Sequence, residues 1–135
     1  MKLALIGLGS VGRGVAHVVK NDPRFKIVAA ADSKSGAVNP DGLDIDRLLQ
    51  GKKETGRIGT PDWTAFRIAA EVDYDVLVEV TPTNAETGEP ALSTIKIALS
   101  RGRHVVTSNK GPISLYYREL ESLAEENGVA LRFEG

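Results

Sequence analysis

The chain has 135 residues, enough for one domain that hides roughly two thirds of its unfolded surface. With 41% hydrophobic and 26% charged residues its composition is that of a globular protein, and a formal net charge of −1 leaves no broad basic field for nucleic acid or anionic lipid. Cysteine is absent and only His17 and His104 are available, which excludes disulfides, thiolate nucleophiles, Cys-based zinc sites and multi-histidine metal sites; no metal is expected.

Lys2 to Ile6 is a short apolar run ended by Gly7, the pattern of a strand buried on both faces. Its start resembles a signal peptide, but the run breaks at once into glycines with no cleavage site behind it. No apolar stretch approaches the length of about 18 residues that a membrane helix needs, so a soluble, cytoplasmic domain is expected. From Ser10 to Lys20, Val11, Val15, Val18 and Val19 share one helical face until Asn21-Asp22-Pro23 stops the helix. Phe25 to Ala31 reads as a second buried strand.

Residues 32–62 are the least regular. A short helix is expected over Leu43 to Leu49, Gly51 to Thr60 reads as a polar surface loop, and Asp62 as the cap of a helix running through Trp63 and Phe66 to Ala70. Trp63 and Phe66, at helical spacing, read as core. A strand follows over Asp75 to Val80, then a helix over Glu89 to Arg101 closed by Gly102. His104 to Thr107 gives another strand. Pro112 suits the start of a helix that ends at Asn127-Gly128, and Val129 to Phe133 is a last strand. Strands alternating with helices, without hairpin signals, predict an α/β fold with a doubly wound parallel sheet, all within one domain over 1–135.

Gly7-Leu8-Gly9-Ser10-Val11-Gly12 matches G-x-G-x-x-G and lies between a predicted strand and a predicted helix, the context that gives the pattern meaning. Gly7 permits the tight turn, Gly9 lets backbone approach a pyrophosphate, and Gly12 lets helix pack on strand. The helix start offers free N–H groups and a partial positive charge to phosphates. Asp32, twenty residues beyond Gly12 at the end of the second strand, is placed to accept hydrogen bonds from an adenosine ribose. That carboxylate favours NAD, but Ser33, Lys34 and Arg13 bring polar and cationic groups to the same spot, which keeps NADP open as the alternative.

Ligands of doubly wound folds bind outside the carboxyl ends of the strands. Two polar segments lie there: Glu79-Val80-Thr81-Pro82-Thr83-Asn84 and Thr107-Ser108-Asn109-Lys110-Gly111-Pro112. Lys110 is a cation at a strand tip, suited to a carboxylate, a phosphate or a developing alkoxide. Thr81, Ser108 and Asn109 are suited both to capping the helices that follow and to touching a ligand. His17 and His104 lie away from this end, and Glu119, Glu121, Glu125 and Glu126 form an exposed helix face.

Gly7–Gly14 (GLGSVGRG), Glu79–Ala91 (EVTPTNAETGEPA), His104–Pro112 (HVVTSNKGP) and Phe133-Glu134-Gly135 together resemble the N-terminal part of homoserine dehydrogenases, over essentially the whole chain. TPTN and SNKGP are far more specific than the glycine loop. The resemblance implies a Rossmann-type domain of an oxidoreductase of threonine and methionine biosynthesis, which interconverts homoserine and aspartate 4-semialdehyde with a nicotinamide dinucleotide. It implies that Leu8, Gly9, Ser10 and Val11 bind the pyrophosphate, that Thr81, with Pro82 beside it, Ser108 and Lys110 border the nicotinamide, and that Lys110 serves catalysis or cofactor positioning. It also implies a role for Glu134 in a monovalent-cation site whose partners follow Gly135. In the family the chain continues into a region that dimerises, binds the amino-acid substrate and supplies a catalytic aspartate and lysine. This sequence stops before it, so residues 1–135 are expected to bind cofactor without turnover. Two other readings stay open: a stand-alone NAD-sensing module and an amino-acid dehydrogenase acting on another substrate.

Overall fold

The computed structural model describes residues 1–134; Gly135, the last residue of the FEG segment, lies outside the described residues. Eleven elements follow one another among those residues: β1 (Lys2–Ile6), α1 (Ser10–Val19), β2 (Lys26–Ala31), β3 (Gly36–Val38), α2 (Ile45–Thr55), α3 (Ala65–Glu71), β4 (Val76–Glu79), α4 (Ala91–Ser100), β5 (His104–Thr107), α5 (Lys110–Glu126) and β6 (Leu131–Phe133). The strands form one sheet in the order β3-β2-β1-β4-β5-β6. Neighbours from β2 to β6 pair in parallel, as a doubly wound sheet requires, whereas β3 is an antiparallel edge strand on β2.

The sheet is covered on both faces. Leu3, Leu5, Ile27, Val76 and Val78 pack with Ala16 of α1 and with Ile45 and Leu48 of α2. Ala4, Ile6, Val28 and Leu77 turn the other way, against Ile68 of α3, Ile95 and Leu99 of α4 and Leu120 of α5. Neighbours in sequence thus serve opposite layers, the period-two signature of a strand buried twice. Each of these larger side chains contributes roughly 1.5–3 kcal/mol on burial. Val28 interrupts the alternation: Leu3 pairs with Ile27 and Ala4 with Ala29, so Val28 is the extra residue of a bulge, and both Val28 and Ala29 face the α3–α5 layer.

Several expected boundaries are corrected. α2 is an eleven-residue helix over Ile45–Thr55 that takes in Gly51 to Thr55, the first half of the segment expected as loop, framed by the Asp44 side chain at its start and left-handed Gly56 at its end. A hairpin joins β2 to β3 where no turn signal was read, because its turn is tied by the Asp32 side chain. The cap of α3 is Thr64, whose side chain accepts from Arg67 N, and the helix begins at Ala65. α5 starts at Lys110, two residues before Pro112, because Asn109 caps it. The remaining differences are one to two residues at element ends. Trp63 packs partly against the core with the Arg67 guanidinium 4.0 Å from its ring centre, but Phe66 is exposed.

Candidate functional site

β1 lies between β2 and β4, so the direction of winding reverses at β1 and β4, and their carboxyl ends flank the crevice where ligands of such sheets bind. Gly7 leaves β1 with φ +106°, and its N–H donates to Ala31 O at 2.8 Å. A side chain at Gly7 would strike Val80 backbone at 2.9 Å, and one at Gly12 would lie 2.0 Å from Gly7 O. The first and third glycines are therefore packing requirements. Gly9 is different: a Cβ there has nothing within 4 Å. It is also the N-cap of α1 and has no side chain to occupy the N–H groups of the first turn, which are left without a side-chain cap beside exposed Ser10 and Val11. Leu8 is buried in the α1–α2 layer, so only its backbone can serve a ligand.

At the end of β2, Asp32 is already engaged. Its Oδ1 accepts from Lys34 N at 2.8 Å, Ser35 N at 2.7 Å and Ser35 Oγ at 3.2 Å, while Oδ2 meets Lys52 Nζ at 2.7 Å. Burial raises the carboxyl pKa, but the Lys52 ion pair and the two N–H donors outweigh it and hold the group below the ordinary aspartate range. Ser33 and Lys34 are exposed at the turn, as is Arg13 on α1. Lys52 escaped sequence reasoning: it lies on the part of α2 read as loop, and only the folded packing brings it to Asp32.

The second wall is built from the ends of β4 and β5, which are in register at Glu79 and Thr107. Glu79 is fully buried. Its Oε1 accepts from Thr81 N at 2.9 Å and from the Thr81 hydroxyl, and Oε2 from Thr107 Oγ1 at 3.3 Å. Burial pushes this carboxyl up from the ordinary glutamate value, against the pull of those donors. Asn109, also buried, donates through Nδ2 to Thr81 O and Oγ1 at 3.3 and 3.2 Å, to Pro82 O at 3.4 Å, and accepts from Gly111 N at 3.1 Å. Pro82 is exposed; Ser108 is half-buried, and its hydroxyl makes no hydrogen bond among the described residues. Lys110 opens α5, exposed and without an ion pair among the described residues. Of the three cap candidates, Asn109 caps a helix through its side chain, whereas Thr81 and Ser108 do not. Glu134 is exposed beyond β6, its N–H donating to Thr107 O at 2.9 Å. No helix is long and apolar enough to cross a membrane among the described residues.

A family model described as homoserine dehydrogenase, NAD binding domain, matches residues 7–134. The NAD(+)-dependent homoserine dehydrogenase of Pseudomonas canavaninivorans is 40% identical over an alignment that covers 99% of this chain and 42% of that protein. The crystal structure of homoserine dehydrogenase from Thermoplasma acidophilum superposes with a TM-score of 0.88 at 28% identity, covering 99% of this chain and 43% of that one. A hyperthermophilic archaeal homoserine dehydrogenase in complex with NADPH gives a TM-score of 0.81 at 27% identity, over 98% and 43% of the two chains. This chain thus spans about two fifths of the length of the relatives it matches.

Proposed function

The chain belongs to the family of homoserine dehydrogenase NAD-binding domains, and from that premise we propose that residues 1–135 form, as one domain, the dinucleotide-binding part of an NAD(P)-dependent homoserine dehydrogenase. The observation that carries the reading is the helix start at Gly9: a first turn with no side-chain cap, beside exposed Ser10 and Val11 and with free space where a Gly9 side chain would stand, at the point where the sheet reverses its winding. Backbone of Gly7, Leu8, Gly9, Ser10, Val11 and Gly12 holds the pyrophosphate. Asp32, Ser33 and Lys34, with Lys52, surround the adenosine ribose. Thr81, Pro82, Ser108 and Lys110 line the nicotinamide end.

A bound nicotinamide supplies the hydride acceptor for oxidation of the homoserine C4 alcohol, or the donor in the reverse direction. The residues of this chain do the rest of the holding. Lys110 places a cation at the crevice mouth, against the positive end of the α5 dipole, where nothing in the packing of the helix calls for one. Its ammonium is suited to steady the alkoxide that develops as the substrate hydroxyl loses its proton. Substrate selection, the proton acceptor and a homodimer interface belong to the further region that relatives of full length carry, in a cytoplasmic enzyme.

Calorimetric titration of the chain with NAD⁺ and NADP⁺ tests the reading. Saturable binding of at least one, weakened or switched by Asp32→Ala, is the expected result; binding of neither rejects it. Homoserine-dependent NAD(P)H formation by residues 1–135 alone is expected to be absent, since hydride transfer needs a held substrate and a proton acceptor. Its appearance would show that the substrate site is already complete here.

A further inference from the structure

We propose that Glu79 is a positioning residue for the nicotinamide half of the cofactor, its buried carboxyl tying the segments after β4 and β5 into one rigid crevice wall. The proposal rests on the dinucleotide reading above and goes beyond it, since it assigns a role to a side chain that cannot touch solvent or ligand.

Glu79 is the last residue of β4, a central strand whose other members, Val76, Leu77 and Val78, are all buried and apolar. A carboxyl group in that setting is costly unless its hydrogen bonds are made, and an apolar residue would pack the same space more cheaply. The bonds it makes all reach toward the crevice. Oε1 takes both the N–H and the hydroxyl of Thr81, and Oε2 takes the hydroxyl of Thr107. Thr107 Oγ1 accepts in turn from Asn109 N at 3.0 Å. Asn109 Nδ2 closes the circuit on Thr81 O and Oγ1, at 3.3 and 3.2 Å. Past Glu79 and Thr107 one backbone bond, Ser108 N to Glu79 O at 3.2 Å, joins the two segments; the side-chain circuit adds the ties that fix Thr81 and Asn109, the neighbour of Lys110, at one spacing. Burial that raises the carboxyl pKa fits a group retained for its hydrogen bonds despite the cost.

The test compares two ligands of the same chain: NADH or NADPH, whichever the wild type binds more tightly, and the matching nicotinamide-free ADP-ribose or its 2′-phosphate. Glu79→Leu keeps the bulk and removes the acceptors; Glu79→Gln restores them in part. We expect Glu79→Leu to weaken the dinucleotide about tenfold, the effect of leaving buried donors unpaired, while the nicotinamide-free ligand changes by less than about twofold. Glu79→Gln should recover the dinucleotide to within about threefold. Thr107→Val, which cuts the same circuit with no change of shape, should reproduce the selective loss and serves if Glu79→Leu does not fold. Equal losses for both ligands in folded variants, or no loss of the dinucleotide in Thr107→Val, would overturn the proposal. Wild type that binds neither ligand would reject the dinucleotide reading itself.

Discussion

Lys52 Nζ lies 2.7 Å from Oδ2 of Asp32, so the carboxylate at the end of β2 is already paired with a cation from α2. Oδ1 is occupied by the turn that follows, through Lys34 N and Ser35 N. A bare carboxylate at this position repels a 2′-phosphate, whereas the Asp32–Lys52 pair presents a local charge near zero with a movable ammonium. The expected outcome is that Lys52→Ala lowers NADP⁺ affinity about tenfold, the weight of one charge-assisted hydrogen bond, and leaves NAD⁺ affinity within about twofold. Calorimetry with both dinucleotides checks it; equal effects on the two would mean that Lys52 serves only to hold α2 against the turn.

The glycines of the loop separate packing from binding. A methyl group on Gly12 would lie 2.0 Å from Gly7 O, a backbone atom that cannot move aside, so Gly12→Ala should cost about 1–3 kcal/mol of stability. Gly9 has φ −74° and open space where its Cβ would be, so Gly9→Ala should change stability by less than about 0.5 kcal/mol. In the proposed binding mode the same methyl group would stand where the pyrophosphate approaches the backbone, and dinucleotide affinity should fall about tenfold or more. Thermal melts and titrations on the two variants test the contrast, and a stable Gly12→Ala or a fully binding Gly9→Ala would contradict it.

Much of this was legible in the amino-acid order, and what was not has physical causes. β1 and β4 announce themselves because strands buried on two faces are apolar along Leu3–Ile6 and Val76–Val78, β5 through its Val105-Val106 pair, and the glycine loop because its glycines stand between a strand and a helix at a recognisable spacing. The apolar pattern of α2 ends at Leu49, because Gly51 and the polar Lys52 and Lys53 break the apolar face; the signals that frame the helix, Asp44 and Gly56, are cap residues twelve positions apart. β3 is three residues long, and its place is set by tertiary contact. A Cβ on Gly36 would lie 2.0 Å from Trp63 O, and one on Gly59 2.1 Å from Gly36 O. No local pattern carries such contacts. The same holds for the site: Asp32 is visible by its spacing from the loop, but Lys52 comes to it only through the packing of α2, and the reason for Glu79 appears only once β4 and β5 lie side by side.

Asp32 and Glu79 should leave opposite marks on stability as pH changes. The Asp32 pKa is held low in the fold, so its contribution is present above the ordinary aspartate pKa and is lost as pH falls through the folded value. The Glu79 pKa is raised, so the folded state binds the proton more tightly than the unfolded chain. Stability therefore falls as pH rises from the ordinary glutamate pKa to the raised one, and is level beyond it. Urea unfolding between about pH 3 and pH 8 should show Asp32→Asn flattening the acid limb and Glu79→Gln flattening the decline above it. If Glu79→Gln and wild type keep a constant difference across that range, the carboxyl does not titrate as its burial requires.

Lys110 separates stability from chemistry. It is the first residue of α5, exposed and with no ion pair among the described residues, while Asn109 supplies the cap. A cation on the first turn opposes the helix dipole by about 0.3–1 kcal/mol, so Lys110→Ala should leave the fold as stable as wild type or slightly more so. In a full-length enzyme the same change should lower kcat about 100-fold or more, the range seen when a charge-stabilising group is removed from a reacting centre. Measuring the melting temperature and kcat on one preparation decides between the roles. A stable variant with little turnover places Lys110 at the reacting atoms. Unchanged kcat and KM with a lower melting temperature would make it a structural residue of the α5 start, and the cation that the developing alkoxide needs would then have to come from elsewhere.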